Sequence, residues 1–375
     1  MTRLDDILTA IVEDAANPGA AVRRELDRTG KKAVGCMLEF CPEELICAAG
    51  MLPVGLWGGA VELSLVKQYF PPFFCAPVQQ TLELALQGAY DGLLSAVMVP
   101  ILCDTLKSAG QNWRVAVPHI PMIPVTYPQN RHLPSGQAFL RRELEDAMAK
   151  LERIAGRGIS PQALDSAIAL YNRYREAMGE FSAQAARHAD VITPAVRHSV
   201  FQAGFYRDKW DYLETVRELT ALLKQLPPAE GRHPVALTGI ALSTPRILEA
   251  MERSGLTVAG DTLAQEYGQT AFPVPDGGDG LTRLAAWWSQ MRHSSLAVDL
   301  EQERADHLIR LVQAGRAQGI IIAAPAFCDP EEYDYPILHS ALEAAGVPHI
   351  RLELNDSAAA EQAAARLQAF AELLP

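Results

Sequence analysis

Two apolar runs, LLSAVMVPI at 93–101 and GIIIAAPAFC at 319–328, set the frame for this chain. Neither alternates polar with apolar residues, so neither reads as a strand with one wet face. A strand buried on both faces needs helices above and below it, which means a parallel sheet with crossover helices. The surrounding sequence supplies them. AVGCML (33–38), LPVGLW (52–57) and one or two strands in VAVPHIPMIPV (115–125) accompany the first run, with helices over PEELICAAG (42–50) and PVQQTLELALQG (77–88). Proline opens each of these helices and Gly50 and Gly88 stop them. Around the second run, PVALTG (234–239), LTVAG (256–260) and PHIRLEL (348–354) read as strands. PRILEAMERSG (245–255), TRLAAWWSQM (282–291), EQERADHLIRLVQAGRAQG (301–319), YPILHSALEAAG (335–346) and the C-terminus read as helices.

The stretch 135–222 differs: GQAFLRRELEDAMAKLERIAG, PQALDSAIALYNRYREAMGEFSAQAARHA and a third stretch ending KWDYLETVRELTALLKQL carry helical periodicity and many charges. LPPAEGRHP at 226–234 then reads as a linker. The expected fold is α/β, with two parallel-sheet domains and a helical middle segment. Residues 1–134 form a first α/β domain with an N-terminal helix, 135–230 the helical segment and linker, and 231–375 a second α/β domain.

Lys+Arg number 33 against Asp+Glu 45, a formal net charge of −12. An acidic chain without a basic block excludes nucleic acid and anionic membrane as partners. No run of eighteen apolar residues occurs, so no membrane span is expected. The opening MTRLDDILTAIVEDAANPGAAVRREL mixes acids into its apolar positions and reads as an amphipathic helix, not a signal peptide. The expected compartment is the cytoplasm.

The six cysteines are Cys36, Cys41, Cys47, Cys75, Cys103 and Cys328. Both long strands hand over to a helix at Cys-Asp, in ILCDTL and AFCDPE. Ligands bind at the carboxyl ends of strands in open parallel sheets, and a helix N-terminus there favours a thiolate. Asp104 and Asp329 are expected to be the helix N-caps. Cys75, in QYFPPFFCAPVQQTLEL, likewise stands before a helix. Three thiols from two units can converge on one group in the cleft, although by spacing alone zinc or plain burial fits nearly as well. GCMLEFCPEELIC spaces Cys36, Cys41 and Cys47 in no common ferredoxin or zinc pattern. Cys47 falls on the apolar side of a helix and reads as core, and Cys36 and Cys41 as structural or supporting. TGIALSTPR lacks the P-loop lysine, and neither H-E-x-x-H nor G-x-S-x-G is present. Trp287 and Trp288 read as core or interface.

CPEELICAAGMLPVGLWGG, QYFPPFFCAP, ILCDTLKSAGQNWRVAVPH and FCDPEEYDYP together resemble the β subunits of the (R)-2-hydroxyacyl-CoA dehydratases. The resemblance runs from about residue 30 to the C-terminus. It is nearest to the small subunits acting on 2-hydroxyisocaproyl-CoA or phenyllactyl-CoA in amino-acid fermentation by anaerobes. It implies two Rossmann-like domains and one 4Fe-4S cluster, with ligands that fall on Cys75 in FFCAP, Cys103 in LCDT and Cys328 in FCDP. It also implies a related α subunit with the substrate-binding cluster, and an ATP-dependent iron–sulfur activator that injects one electron.

The reaction explains the need for an electron. The β proton of a 2-hydroxyacyl-CoA is not acidified by the thioester, so no side-chain base removes it at neutral pH. One electron on the thioester carbonyl gives a ketyl radical, which expels the 2-hydroxyl; the resulting enoxy radical loses its acidified β proton and finally returns the electron, giving the 2-enoyl-CoA. The wider superfamily supplies alternatives: a double-cubane cluster reductase or benzoyl-CoA reductase-like subunit, or a cluster-free subunit that binds a CoA ester or a partner.

Overall fold

The computed structural model describes residues 2–229, 232–298, 302–354 and 357–375. It contains two four-stranded sheets. The first holds β1 (Ala33–Met37), β2 (Leu52–Leu56), β3 (Leu94–Ile101) and β4 (Met122–Thr126) in the order β2-β1-β3-β4. The second holds β5 (His233–Gly239), β6 (Leu256–Leu263), β7 (Gly319–Ala324) and β8 (His349–Glu353) in the order β6-β5-β7-β8. Every neighbouring pair is parallel. β1, β2 and β7 are buried at every residue, as unbroken apolar runs require. The α/β expectation of two parallel-sheet units therefore holds.

The two sheets repeat one topology. In each, the order reverses between the first and third strands of the unit, where a crevice opens at the strand carboxyl ends. β3 and β7 are the equivalent third strands, and each leads into a Cys-Asp pair.

Several elements depart from the sequence reading. The N-terminal helix is two helices, Arg3–Ala16 and Pro18–Thr29, because Pro18 starts a new helix and cannot continue the old one. VAVPHIPMIPV holds one strand, β4. Its start completes the helix Asp104–Ala116, whose Trp113 is fully buried and donates its indole N–H to the Ile120 carbonyl at 3.0 Å. Between them, Pro118 and Pro121 leave no room for a second strand. The third stretch of the helical middle is itself two helices, Pro194–Ala203 and Lys209–Leu223, after Pro134–Ala155 and Pro161–Arg187. Of the linker read at 226–234, Glu230 and Gly231 lie outside the described residues, while Ala229 forms a parallel bridge with His188. Glu301, in the helix read at 301–319, also lies outside them; the described helix is Glu303–Gln313. The helix expected to begin at Tyr335 runs instead over Asp329–Ala344 and passes through Pro336.

One large core joins β1–β4 to the helices Pro134–Ala155 and Gly280–Ser289. Trp288 lies in it, donating to the Pro128 carbonyl at 3.0 Å and meeting Phe40 edge-on at 5.1 Å. Among the described residues, no helix is long and apolar enough to cross a membrane.

Candidate functional site

Cys75, Cys103 and Cys328 share one local geometry. Each is the N-cap residue of a helix: Ala76–Leu86, Asp104–Ala116 and Asp329–Ala344 respectively. Their carbonyls accept the first intrahelical bonds, from the N–H of Gln79 at 3.3 Å, Lys107 at 3.0 Å and Glu332 at 2.9 Å. The expectation that Asp104 and Asp329 cap these helices is corrected. The aspartates occupy the first helical position, and the cysteine before each is the cap. The swap matters chemically, because it puts the cysteines and not the aspartates at the position beside the unsatisfied N–H groups of the first turn. No cap hydrogen bond to sulfur forms, but the N–H groups of Val78 near Cys75, Thr105 and Leu106 near Cys103, and Glu331 near Cys328 pull the thiol proton affinities down.

Cys75 and Cys328 are buried, Cys103 partly so. Burial pushes all three thiols up, Cys75 to about 12 and Cys328 well above its ordinary value. The groups also act on one another: Cys103 raises Cys75, and both raise Cys328. Two sulfurs from the first unit and one from the second are thus electrostatic neighbours. Asp329 adds negative charge at Cys75 and Cys103. Neutral thiols are what a dry pocket enforces; a cationic centre would displace their protons, and the helix N-termini would then stabilise the thiolates.

Among the described residues, the one group of potential ligands whose donor atoms all lie within 4.8 Å of one another is His339, Glu343 and His349.

Backbone strain marks the approach to Cys328. β7 ends at Ala324, and Phe327 takes a left-handed φ of 59°, an uncommon conformation for a bulky residue. It leaves the Phe327 ring 53% exposed. Phe73 (59%), Tyr333 (82%) and Ile337 (48%) are exposed too, so large apolar side chains flank Cys75 and Cys328 in sequence. Tyr333 and Ile337 are one helical turn apart on the helix that Cys328 caps.

The remaining cysteines behave differently. Cys36 is buried with Cys41 as its nearest titrating neighbour, and the Cys41 thiol donates to the Met98 carbonyl at 3.5 Å. Cys47 packs between the first core and the helical middle, and burial pushes it up to about 11. A cavity of about 50 Å³ lies beside Cys41, with Glu43, Arg175, Lys209 and Gln265 in its wall. None of Cys75, Cys103 and Cys328 lines it.

Two supporting groups had no local signal in the sequence. Arg304, buried, donates to Thr238 Oγ1 on β5 at 3.0 Å and to Glu331 at 3.1 Å, tying the Cys328 helix to the second sheet. Burial holds the Glu39 carboxyl well above the carboxylate range, despite the Ser294 hydroxyl at 3.2 Å and the charge of Arg304. Thr238 lies 66 residues from Arg304 and Ser294 255 residues from Glu39, separations that no local window of sequence spans.

The sequence profile of the family described as 2-hydroxyglutaryl-CoA dehydratase, D-component, matches residues 39–374. The chain is 40% identical to the lactoyl-CoA dehydratase subunit beta of Anaerotignum propionicum over 380 residues, covering all of both chains. It is 38% identical over 377 residues, again covering both chains, to the (R)-phenyllactyl-CoA dehydratase beta subunit of Clostridium sporogenes. It is 36% identical to the (R)-2-hydroxyglutaryl-CoA dehydratase subunit beta of Acidaminococcus fermentans, over 98% of this chain and 100% of that one. A profile spanning nearly the whole chain and full-length relatives above the 30% level make the conclusion plain: this chain belongs to the 2-hydroxyglutaryl-CoA dehydratase D-component family.

Proposed function

We propose that this chain is the β subunit of an (R)-2-hydroxyacyl-CoA dehydratase, a hydro-lyase, and that Cys75, Cys103 and Cys328 hold one 4Fe-4S cluster in it. The observation that carries the reading is the shared placement of the three cysteines. Each caps a helix after an apolar segment, each lies beside that helix's free N–H groups, and the three influence one another across the two units. Such a cluster, when bound, supplies the low-potential electron that no side chain can provide.

The chain's own contribution is to hold and shield. The N–H groups of Val78, Thr105, Leu106 and Glu331 favour thiolates, and their partial positive charge would tune the electron affinity of what the sulfurs bind. Burial of Cys75 and Cys328 keeps water from the sulfurs. The exposed Phe73, Phe327, Tyr333 and Ile337 offer an apolar surface to a related α subunit, so that an electron crosses a short, dry path. In this reading the α subunit binds the 2-hydroxyacyl-CoA at its own cluster, and an ATP-dependent iron–sulfur activator delivers the electron. The double-cubane alternative needs a second set of cluster thiols, which would have to come from Cys36, Cys41 and Cys47; of these Cys36 and Cys41 act on each other, while Cys47 also packs against the core of the helical middle.

The test is anaerobic co-expression with the α subunit, addition of activator, ATP and reductant, and assay against (R)-lactoyl-, (R)-phenyllactyl- and (R)-2-hydroxyglutaryl-CoA. Water loss from one of these, abolished by Cys328→Ser, is expected. Equal turnover by the αβ complex carrying Cys75→Ser, Cys103→Ser and Cys328→Ser would refute the cluster role while leaving the dehydratase assignment standing. Activity in the complete absence of this chain would refute the assignment itself.

A further inference from the structure

At the far end of the helix that Cys328 caps, a second constellation of metal-ligand type has no part in the reading above. His339 and Glu343 lie at positions i and i+4 of the helix Asp329–Ala344, on one face. His349 opens β8, the edge strand of the second sheet. The Nδ1 of His339 stands 2.8 Å from the Nε2 of His349, and Glu343 Oε1 is 3.8 Å from that same Nε2. All three donor atoms lie within 4.8 Å of one another.

We propose that His339, Glu343 and His349 form a site for a zinc-like divalent cation that staples the helix to the edge strand. Four features of the geometry support it. First, His349 Nδ1 faces the Val347 carbonyl at 2.9 Å, and a carbonyl only accepts. Nδ1 therefore carries the proton, and the Nε2 lone pair points at the cluster. A ring N–H on a backbone carbonyl is the usual support of a metal-ligating histidine. Second, the His339 ring is held in place: Tyr335 stacks on it at 5.5 Å and 17°, and the Arg351 guanidinium covers Tyr335 at 4.5 Å. Third, two imidazoles and one carboxylate are a ligand set for zinc that leaves a fourth position to water, and the exposed Glu343 gives the ion a way in. Fourth, the last turn of this helix has no basic residue, so its carbonyl end is free to favour a cation.

Without metal, the two rings share one proton across the 2.8 Å gap. Two nitrogens on one tetrahedral zinc stand about 3.3 Å apart, so binding asks the rings to part by about half an ångström. His339 keeps its proton by moving it to Nε2. The site is about 16 Å along the helix from Cys328, at about 1.5 Å per residue, and so cannot share a ligand with the cysteines.

Cobalt(II) titration of the anaerobically prepared full-length chain tests this. Cobalt on imidazole and carboxylate gives visible d–d absorption without the intense near-ultraviolet thiolate-to-cobalt band that cysteine ligands would add. One equivalent with that signature is expected, displaced by zinc. His339→Ala and His349→Ala should abolish it, and Glu343→Gln should weaken cobalt binding about tenfold or more. Glu343 is exposed, so that variant is expected to fold even where the histidine variants do not. Zinc should raise the unfolding midpoint of the wild type and leave that of Glu343→Gln nearly unmoved. No d–d band, a band of thiolate type only, or full retention of cobalt affinity by Glu343→Gln would overturn the proposal. None of these readouts depends on dehydratase activity or on iron at the cysteines.

Discussion

Glu83 is a carboxylate with no exposed surface, yet it stays ionised far into acid. Burial alone would raise its proton affinity. The N–H groups of Val66 at 2.8 Å, Ser64 at 3.0 Å and Leu65 at 3.2 Å, with the Gln87 amide at 2.9 Å, outweigh it and hold the group at about 2 against an ordinary 4.5. Glu83 sits on the helix capped by Cys75 and ties the preceding loop to it. A depressed carboxylate stabilises the folded state fully above about pH 4.5, and that stabilisation drains away as pH falls toward about 2. Glu83→Gln is therefore expected to cost about 2–3 kcal/mol at pH 7 and to flatten the stability profile between about pH 5 and 2. Urea midpoints across that range check it, and equal midpoints for variant and wild type at pH 7 would contradict it. Cys47→Ser should leave bound iron unchanged, because Cys47 packs into core; iron loss on that substitution alone would contradict its assignment.

At the scale of elements, much of the fold around the candidate site was legible. Two unbroken apolar runs announced buried parallel strands, and the Cys-Asp step after each marked equivalent positions of two copies of one topology. What pattern reading misassigned was local competition. Aspartate outranks cysteine as a helix cap in general, but here the sulfurs take the cap position and the aspartates begin the helix. Pro336 should end a helix, yet the helix from Asp329 continues through it, its later turns anchored by buried Leu338 and Leu342. The partners of Arg304 and Glu39 are set by tertiary packing, which no window of sequence contains. Gly239 shows how closely the elements approach. Its φ of +117° and the Ala323 carbonyl beside it leave no room for a Cβ, and Ile240 N–H donates to that same carbonyl at 2.8 Å. β7, which ends one residue later, leads to Cys328. Gly239→Ala should destabilise the chain by about 3 kcal/mol or more, through strain and collision together. A thermal midpoint within a degree of wild type would show that the backbone can yield there.

At the scale of the whole molecule, the two sheets share one topology, and a net charge of −12 disfavours nucleic acid and anionic membrane. The exposed apolar side chains beside the cysteines are then best explained as cover for a partner subunit. Tyr333→Asp and Ile337→Asp, both at exposed positions, should leave the isolated chain folded and weaken α-subunit association tenfold or more, read by sedimentation. Association at wild-type strength would place the interface elsewhere. The central claim is that sulfurs from both units hold one inorganic centre, and iron and acid-labile sulfide counting on the anaerobically purified chain tests it most directly. The account predicts about four irons and about four sulfides per chain, lost in Cys75→Ser, Cys103→Ser and Cys328→Ser alike. A wild-type chain without iron, or a triple serine variant that keeps all of it, would contradict the account.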